Sequence, residues 1–381
     1  VLATPAWRAT ADELVTRAVA AQDPAGYWPE HQGPTPSYNL VYTYALGLYH
    51  LQGGAVAVLP ALERALRFHE LFTYPDGTLV ETVDGRVKYH DHLNPAVAGF
   101  ALLPRGRRYV EAIVQRALER GERWSAPHFA QLLRYWDTFP AGDAPSVFEQ
   151  DHVVAELARA LVVKDQDWYA CLSGFTCPPV ESRWGQDRQS FISVWRRAAG
   201  LIIGGGNSKN QPEWSTFDIT TSDGRRCFVP AAGAVDPDTR TLTLNCEGRR
   251  LQVQLAALDA RTLTLRLTAE GRAGDRLATH LPVRVRPGAP FALDGEHVAS
   301  EEPLSLVAAA GSHQLRQGHW QLAWTGGYTF MWPSFPFNPY AKDGRSDASR
   351  PDGKPDLGAA VAILTLPLVP GEPRDVCIAH S

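Results

Sequence analysis

The sequence predicts an α+β chain of two domains, a helical half over residues 1–185 followed by an antiparallel β-sandwich over residues 186–381. Three observations carry this. At 381 residues the chain is longer than one hydrophobic core serves, because cores split at roughly 250–300 residues. Apolar residues recur at helical spacing through most of the first half. From residue 189 onward the period changes to two, with Asp-Gly, Asn/Gly and Pro clusters between short apolar runs.

In chain order, residues 7–22 read as a helix with Thr10 or Asp12 near its start. A Pro- and Gly-dense loop follows, DPAGYWPEHQGPTP. Residues 36–52 and 56–72 form two more helices, the first with a stripe at 38, 41, 42, 45, 46, 48 and 49. Asp76-Gly77 and Asp84-Gly85 are turn pairs around an alternating stretch, which predicts a small β-hairpin. Helices are expected again over 93–102, 107–120, 126–137 and 148–163, joined as αα-hairpins. Pro178-Pro179 marks a boundary region. Beyond it lie SFISVWRRAAGLIIGG, TLTLNCEG, RLQVQLAALD, RTLTLRLTAE, LPVRVRPG, HWQLAWTGG and AAVAILTLPLV, all strand-like, with a meander over Gly233–Glu270. No GxGxxG leads from a strand into a helix, so a nucleotide-binding fold has no support.

Composition narrows the function classes. A net charge of -4 argues against nucleic-acid binding, which favours a basic surplus. No apolar run reaches the length of a membrane span. Only Lys88, Lys164, Lys209, Lys342 and Lys354 are lysines; the other basic side chains are arginines. Arginine forks grip carboxylates in a bidentate way, although codon bias gives the same imbalance. Of the eleven Trp, Trp28, Trp184, Trp195, Trp214 and Trp332 stand beside polar residues, which suits sugar rings as well as core packing. The five cysteines contain no C-x-x-C pair, so zinc-knuckle and redox motifs are not indicated. Cys171 and Cys177 either close a short loop in an oxidising compartment or remain free thiols. The chain starts at Val1; a removed signal peptide and a trimmed sequence both fit.

Four segments concentrate chemistry. The first runs from Trp28 and Glu30 to Tyr38, Asn39 and Tyr42, around a helix start whose free N–H groups favour anions such as a uronate. Tyr38 and Tyr42 stand at i, i+4 on one face; helix capping and core packing are the alternative role. The second is Lys88-Tyr89-His90-Asp91-His92-Leu93-Asn94-Pro95. Its histidines suit general-base work, or metal binding given a third ligand. The third is the run from Gly204 to Ser215, with Asn207, Lys209, Asn210, Glu213 and Trp214 after three glycines that permit close backbone approach. The fourth, Trp332 to Tyr340 and the polar stretch after it, reads as a wrapping loop or a cleft wall.

A helical half joined to an antiparallel β half, in this order, resembles the heparinase and chondroitin-lyase-like polysaccharide lyases. The resemblance spans most of the chain and rests on architecture and residue chemistry rather than a diagnostic motif. It implies an incomplete α/α toroid packed on a β-sandwich, with an acidic polysaccharide or oligosaccharide in the cleft between them. It also implies β-elimination at a uronic acid, no cofactor beyond a structural divalent metal, and a secreted or periplasmic bacterial setting. The reaction needs three things: neutralisation of the carboxylate, removal of the C5 proton, and protonation of the leaving oxygen. By this resemblance Asn39, Asn207 or Arg188 neutralises, and Tyr38, Tyr42, Tyr89, His90 or His92 acts as base or acid. His92 or His90 is favoured as base and a tyrosine near residue 38 as acid. Trp28, Glu30, Asn94, Lys209, Asn210, Glu213 and Trp214 complete the expected binding set. Two rivals remain: a toroid-type glycoside hydrolase using paired carboxylates among Glu30, Asp76, Glu81, Asp84 and Asp91, and a non-catalytic sugar-binding protein.

Overall fold

The computed structural model describes residues 4–30, 33–84, 92–136, 146–341 and 356–380. The chain divides into two compact units, one of residues 1–80 with 90–150 and one of residues 81–89 with 151–381. The boundary expected at 185/186 therefore falls inside the second unit.

The first unit is helical. Its α-helices are α1 (Pro5–Ala20), α2 (Pro36–Leu51), α3 (Leu59–Leu71), α4 (Pro104–Glu119) and α5 (Ala126–Leu133), with a 3-10 helix over Pro95–Leu102 between α3 and α4. Each carries proline in its first two positions. There the missing N–H costs nothing and the fixed φ already suits a helix. The prolines that punctuate the sequence thus mark starts. Leu62, Leu66, Phe100, Tyr109, Val110 and Ile113 form the centre of the core. α1 buries no residue fully; Ala11, Val15 and Val19 pack partly against that core. None of the helices among the described residues is long and apolar enough to cross a membrane.

The second unit is two antiparallel sheets. The first has eleven strands. Its main path runs through His152–Leu157, Ala160–Asp165, Trp168–Ser173, Ile192–Arg196, Gly200–Ile203, Arg276–Val283, Val361–Leu368, Tyr328–Ser334 and Leu304–Ala308. The second has nine: Glu296–Val298, Phe291–Leu293, Ser312–Gln317, Trp320–Thr325, Arg374–His380, Thr262–Glu270, Arg249–Leu258, Thr241–Cys246 and Ala232–Asp236. Alternate residues of both sheets, such as Leu244, Val253, Leu265, Leu281, Leu364 and Ile378, share one core. That is the period of two expressed as packing.

Two expected elements differ. Residues 148–163 are not a helix but the end of a 3-10 turn, Val147–Glu149, then two strands. Those strands are joined by Ala158 and Arg159 at φ 51° and 58°. A two-residue hairpin with both φ positive normally announces itself with Asn-Gly or Gly. Ala-Arg gives no such signal, and its alanines read as helix. Of the hairpin expected around the two Asp-Gly pairs, the described residues show one bridge, Thr73 to Leu79, followed by a 3-10 turn over Glu81–Val83; residues 85–91 lie outside the described residues.

Cys227 and Cys246 form a disulfide, while Cys171 and Cys177 are buried free thiols. The bond spans 19 residues and, by loop entropy, stabilises by about 3 kcal/mol. Cys227→Ser/Cys246→Ser is expected to lower the urea-unfolding free energy by about that amount. Alkylation of the unfolded, unreduced protein is expected to label three thiols; labelling of all five would show the bond absent.

Candidate functional site

In the first unit the candidate residues gather on the opening turn of α2. Asn39 is buried, and its Oδ1 accepts the Trp28 N–H at 3.0 Å. That bond fixes the amide's orientation, so Nδ2 is the group facing His69 Nε2 at 3.0 Å. An amide nitrogen only donates, so His69 accepts at Nε2 and carries its proton on Nδ1. The imidazole is fully buried against Phe68 and Phe100, and burial depresses its pKa to about 3. Such a group stays neutral at working pH. It positions Asn39 and takes no proton itself. Sequence inspection passed over His69. Its one signal was a histidine on the apolar stripe Leu62, Leu66, His69.

Trp28 stacks on Tyr42, with ring centroids 4.9 Å apart and planes 5° from parallel, and donates its indole N–H to Ala18 O at 2.6 Å. Both rings are thereby committed to packing. Glu30 sits in a backbone bridge to Gly33, half-buried. Tyr38 differs from these: it stands exposed on the same helix turn.

Asn94 caps the 3-10 helix by accepting Ala96 N–H at 3.0 Å. His92, two residues earlier, is exposed and lines an open pocket of ≈ 740 Å³ with Leu93, Arg120, Glu122, Arg123, Trp124 and His128. Tyr89 and His90 lie outside the described residues, as does Asp91. Among the described residues no group of three or more His, Cys, Asp or Glu converges to hold a metal.

In the second unit the glycine run does bring backbone close, as its composition suggested. Gly205 N–H donates to Glu81 Oε1 at 3.0 Å, and a Cβ on Gly204 would lie 2.5 Å from the same oxygen. Gly204 also holds a φ of +129°, which side chains resist. Several polar side chains around it bond to backbone. Asn207 accepts Gln189 N–H and Ser190 N–H, both at 2.9 Å, and donates to Asp84 O at 2.8 Å. Arg188 donates to Val83 O at 3.0 Å and lies over the Phe175 ring. Lys209 reaches Val180 O and Asp187, and Asn210 N–H donates to Asp187 Oδ2 at 2.9 Å. Trp214 is fully buried, its indole N–H on Ser334 Oγ at 3.1 Å, and Glu213 beside it is half-buried.

The tryptophans follow the same rule. Trp28, Trp195, Trp214 and Trp332 are buried, and Trp184 is the exposed one of the five, meeting Tyr340 edge-on at 5.2 Å. Two of the carboxylates considered for paired hydrolysis are also engaged. Asp76 accepts the Thr78 N–H and hydroxyl at 2.9 and 2.6 Å, and Glu81 accepts Gly205.

No protein-family model matches the chain, and no curated protein matches it. Solved structures do. A heparinase III gene product matches with a TM-score of 0.55 at 12% identity. The heparan sulfate lyase HepC from Pedobacter heparinus matches with a TM-score of 0.52, also at 12%. Each alignment covers 99% of this chain and 56% of the other, so the chain spans little more than half their length. At such identity the likeness is one of fold: helices followed by two antiparallel sheets, the order the sequence predicted.

Two outcomes follow from this geometry. His69 has a folded pKa of about 3 against 6.5 unfolded. The unfolded chain therefore binds the extra proton between those values, and stability falls as pH drops through that window. The group contributes up to about 1.4 kcal/mol per pH unit there, and His69→Gln is expected to flatten the stability–pH slope by that amount in urea titrations. Asn207→Ala removes the acceptor of two buried N–H groups and a donor to Asp84 O and is expected to cost about 3 kcal/mol or more, read by urea unfolding.

Proposed function

We propose that the chain acts as a polysaccharide lyase, cleaving a uronic-acid-containing polysaccharide by β-elimination. The observation that carries this is the fold likeness, over 99% of the chain, to a heparinase III and a heparan sulfate lyase. On this reading α1 to α5 belong to an incomplete α/α toroid.

The reaction removes the C5 proton of the uronate, shifts that electron pair into a C4–C5 double bond and breaks the C4–O4 bond. The leaving O4 takes a proton. Tyr38 suits the acid, because it is exposed on the helix turn whose next residue, Asn39, is pinned from two sides. His92 suits the base, since it is exposed at the rim of a pocket; His90 shares that role as the neighbouring histidine in sequence. Asn39 and His69 then act as positioning residues that hold the α2 turn. The Cys227–Cys246 disulfide fits a secreted or periplasmic location, because such bonds persist in oxidising compartments.

The test is a screen of alginate, glucuronan, hyaluronan, heparin and chondroitin with ultraviolet detection of the unsaturated product. At least one substrate is expected to give that absorbance. Tyr38→Phe, and one of His90→Ala and His92→Ala, are expected to lower kcat on it by at least about 100-fold, the scale of general acid–base catalysis. Saturated products would assign a hydrolase. Full activity in all three variants would remove these residues from the mechanism.

A further inference from the structure

The pocket beside His92 has a construction that catalysis does not require. α4 ends at Gly121, whose φ of +76° lets the chain reverse. Gly121 N–H returns to Leu118 O at 2.9 Å and Glu122 N–H to Ala117 O at 3.0 Å. This is the paired-bond helix ending that places the next side chain back against the helix. Glu122 is that side chain, and it fixes three walls at once. Its Oε2 accepts Leu93 N–H at 3.0 Å and the Trp124 indole N–H at 3.2 Å, and its Oε1 pairs with Arg120. Arg120 also donates to Asp76 O.

The consequence is a prepared surface. Trp124 packs partly on the helical core and is held by its N–H, which leaves it half-buried with its orientation set. Arg120 and Glu122 cancel each other's charge. Arg123 and His128 line the same pocket, both exposed. No hydrogen bond or ion pair ties either of them to another described residue. A free guanidinium beside an anchored indole combines a fork for an oxyanion with a flat face for a ring.

We propose that this pocket binds an anionic sugar ring, stacked on Trp124 with its carboxylate or sulfate on Arg123 and His128. The inference deepens the lyase reading and rests on it for the kind of ligand, but binding at the pocket is measured without turnover. At ≈ 740 Å³ the pocket has room for a sugar unit with its linkages.

The experiment is calorimetric titration of the full chain carrying Tyr38→Phe, so that the probes are not turned over, with four hexasaccharides: hyaluronan (carboxylate only), heparin, carboxyl-reduced heparin (sulfate only) and maltohexaose (neutral). At least one charged probe is expected to bind and maltohexaose at least tenfold more weakly. Arg123→Gln, an exposed change that leaves the Glu122 contacts intact, is expected to weaken the charged probe about tenfold. Trp124→Ala is expected to weaken it at least as much, with recovery in Trp124→Phe, which keeps the ring and guards against a folding defect. Carboxyl-reduced heparin separates a sulfate source from a carboxylate source. Absence of binding by every charged probe, equal binding of maltohexaose, or unchanged affinity in Arg123→Gln each overturns the proposal. Should the charged probe bind in this pattern with no unsaturated product from the chain that keeps Tyr38, the lyase reading fails and the site stands. Product formation unaffected by Arg123→Gln and Trp124→Ala, with unchanged affinity, leaves the lyase reading and removes the site.

Discussion

Three side-chain-to-backbone hydrogen bonds hold the second unit's most distant segment in place. Residues 81–84 come from the middle of the helical sequence, yet they belong with the sheets. Glu81 takes Gly205 N–H, Arg188 takes Val83 O, and Asn207 takes Asp84 O while holding two strand-entry N–H groups. A buried polar side chain is tolerated only when its bonding capacity is used. Here that capacity is used to tie one stretch of backbone to another, so the density of Asn, Arg and Glu around the glycines is a joint. The amide-rich loop that looked like a sugar surface in sequence is polar because backbone ends meet there.

The same principle explains what the sequence revealed. Periodicity was legible because it reports which face is buried, and the helices and strands mostly stand where it put them. The Ala158-Arg159 hairpin was not legible, since its left-handed residues lack the side chains that advertise such a turn. Residue type alone could not separate buried polar groups from exposed ones. Asn39 and Tyr38 are neighbours in sequence, but one is buried with its amide engaged at both ends and the other faces solvent. Trp28 and Trp214 suggested platforms and are core; Trp124 lay in an unremarked RGERW stretch and stands in a pocket. Its position depends on the way α4 ends, a three-dimensional fact that composition does not carry.

The helical unit shows how neutrality is used as a structural property. His69 is kept uncharged by its surroundings, and this makes it a fixed acceptor for the Asn39 amide rather than a proton carrier. Asn39 in turn holds Trp28 and the loop entering α2. The exposed Tyr38 therefore rides on a turn whose geometry is set from below by groups that never meet solvent.

The order of strands has a consequence for how the protein is made. Arg374–His380 lies between Trp320–Thr325 and Thr262–Glu270, and Val361–Leu368 lies between Arg276–Val283 and Tyr328–Ser334. Each of these late strands joins two earlier groups that do not otherwise pair along the path. While a ribosome is still short of these residues, both sheets exist only as separate fragments with bare edges on each side. Such edges invite pairing with other chains, and the strands that close them are among the last of the chain to be made.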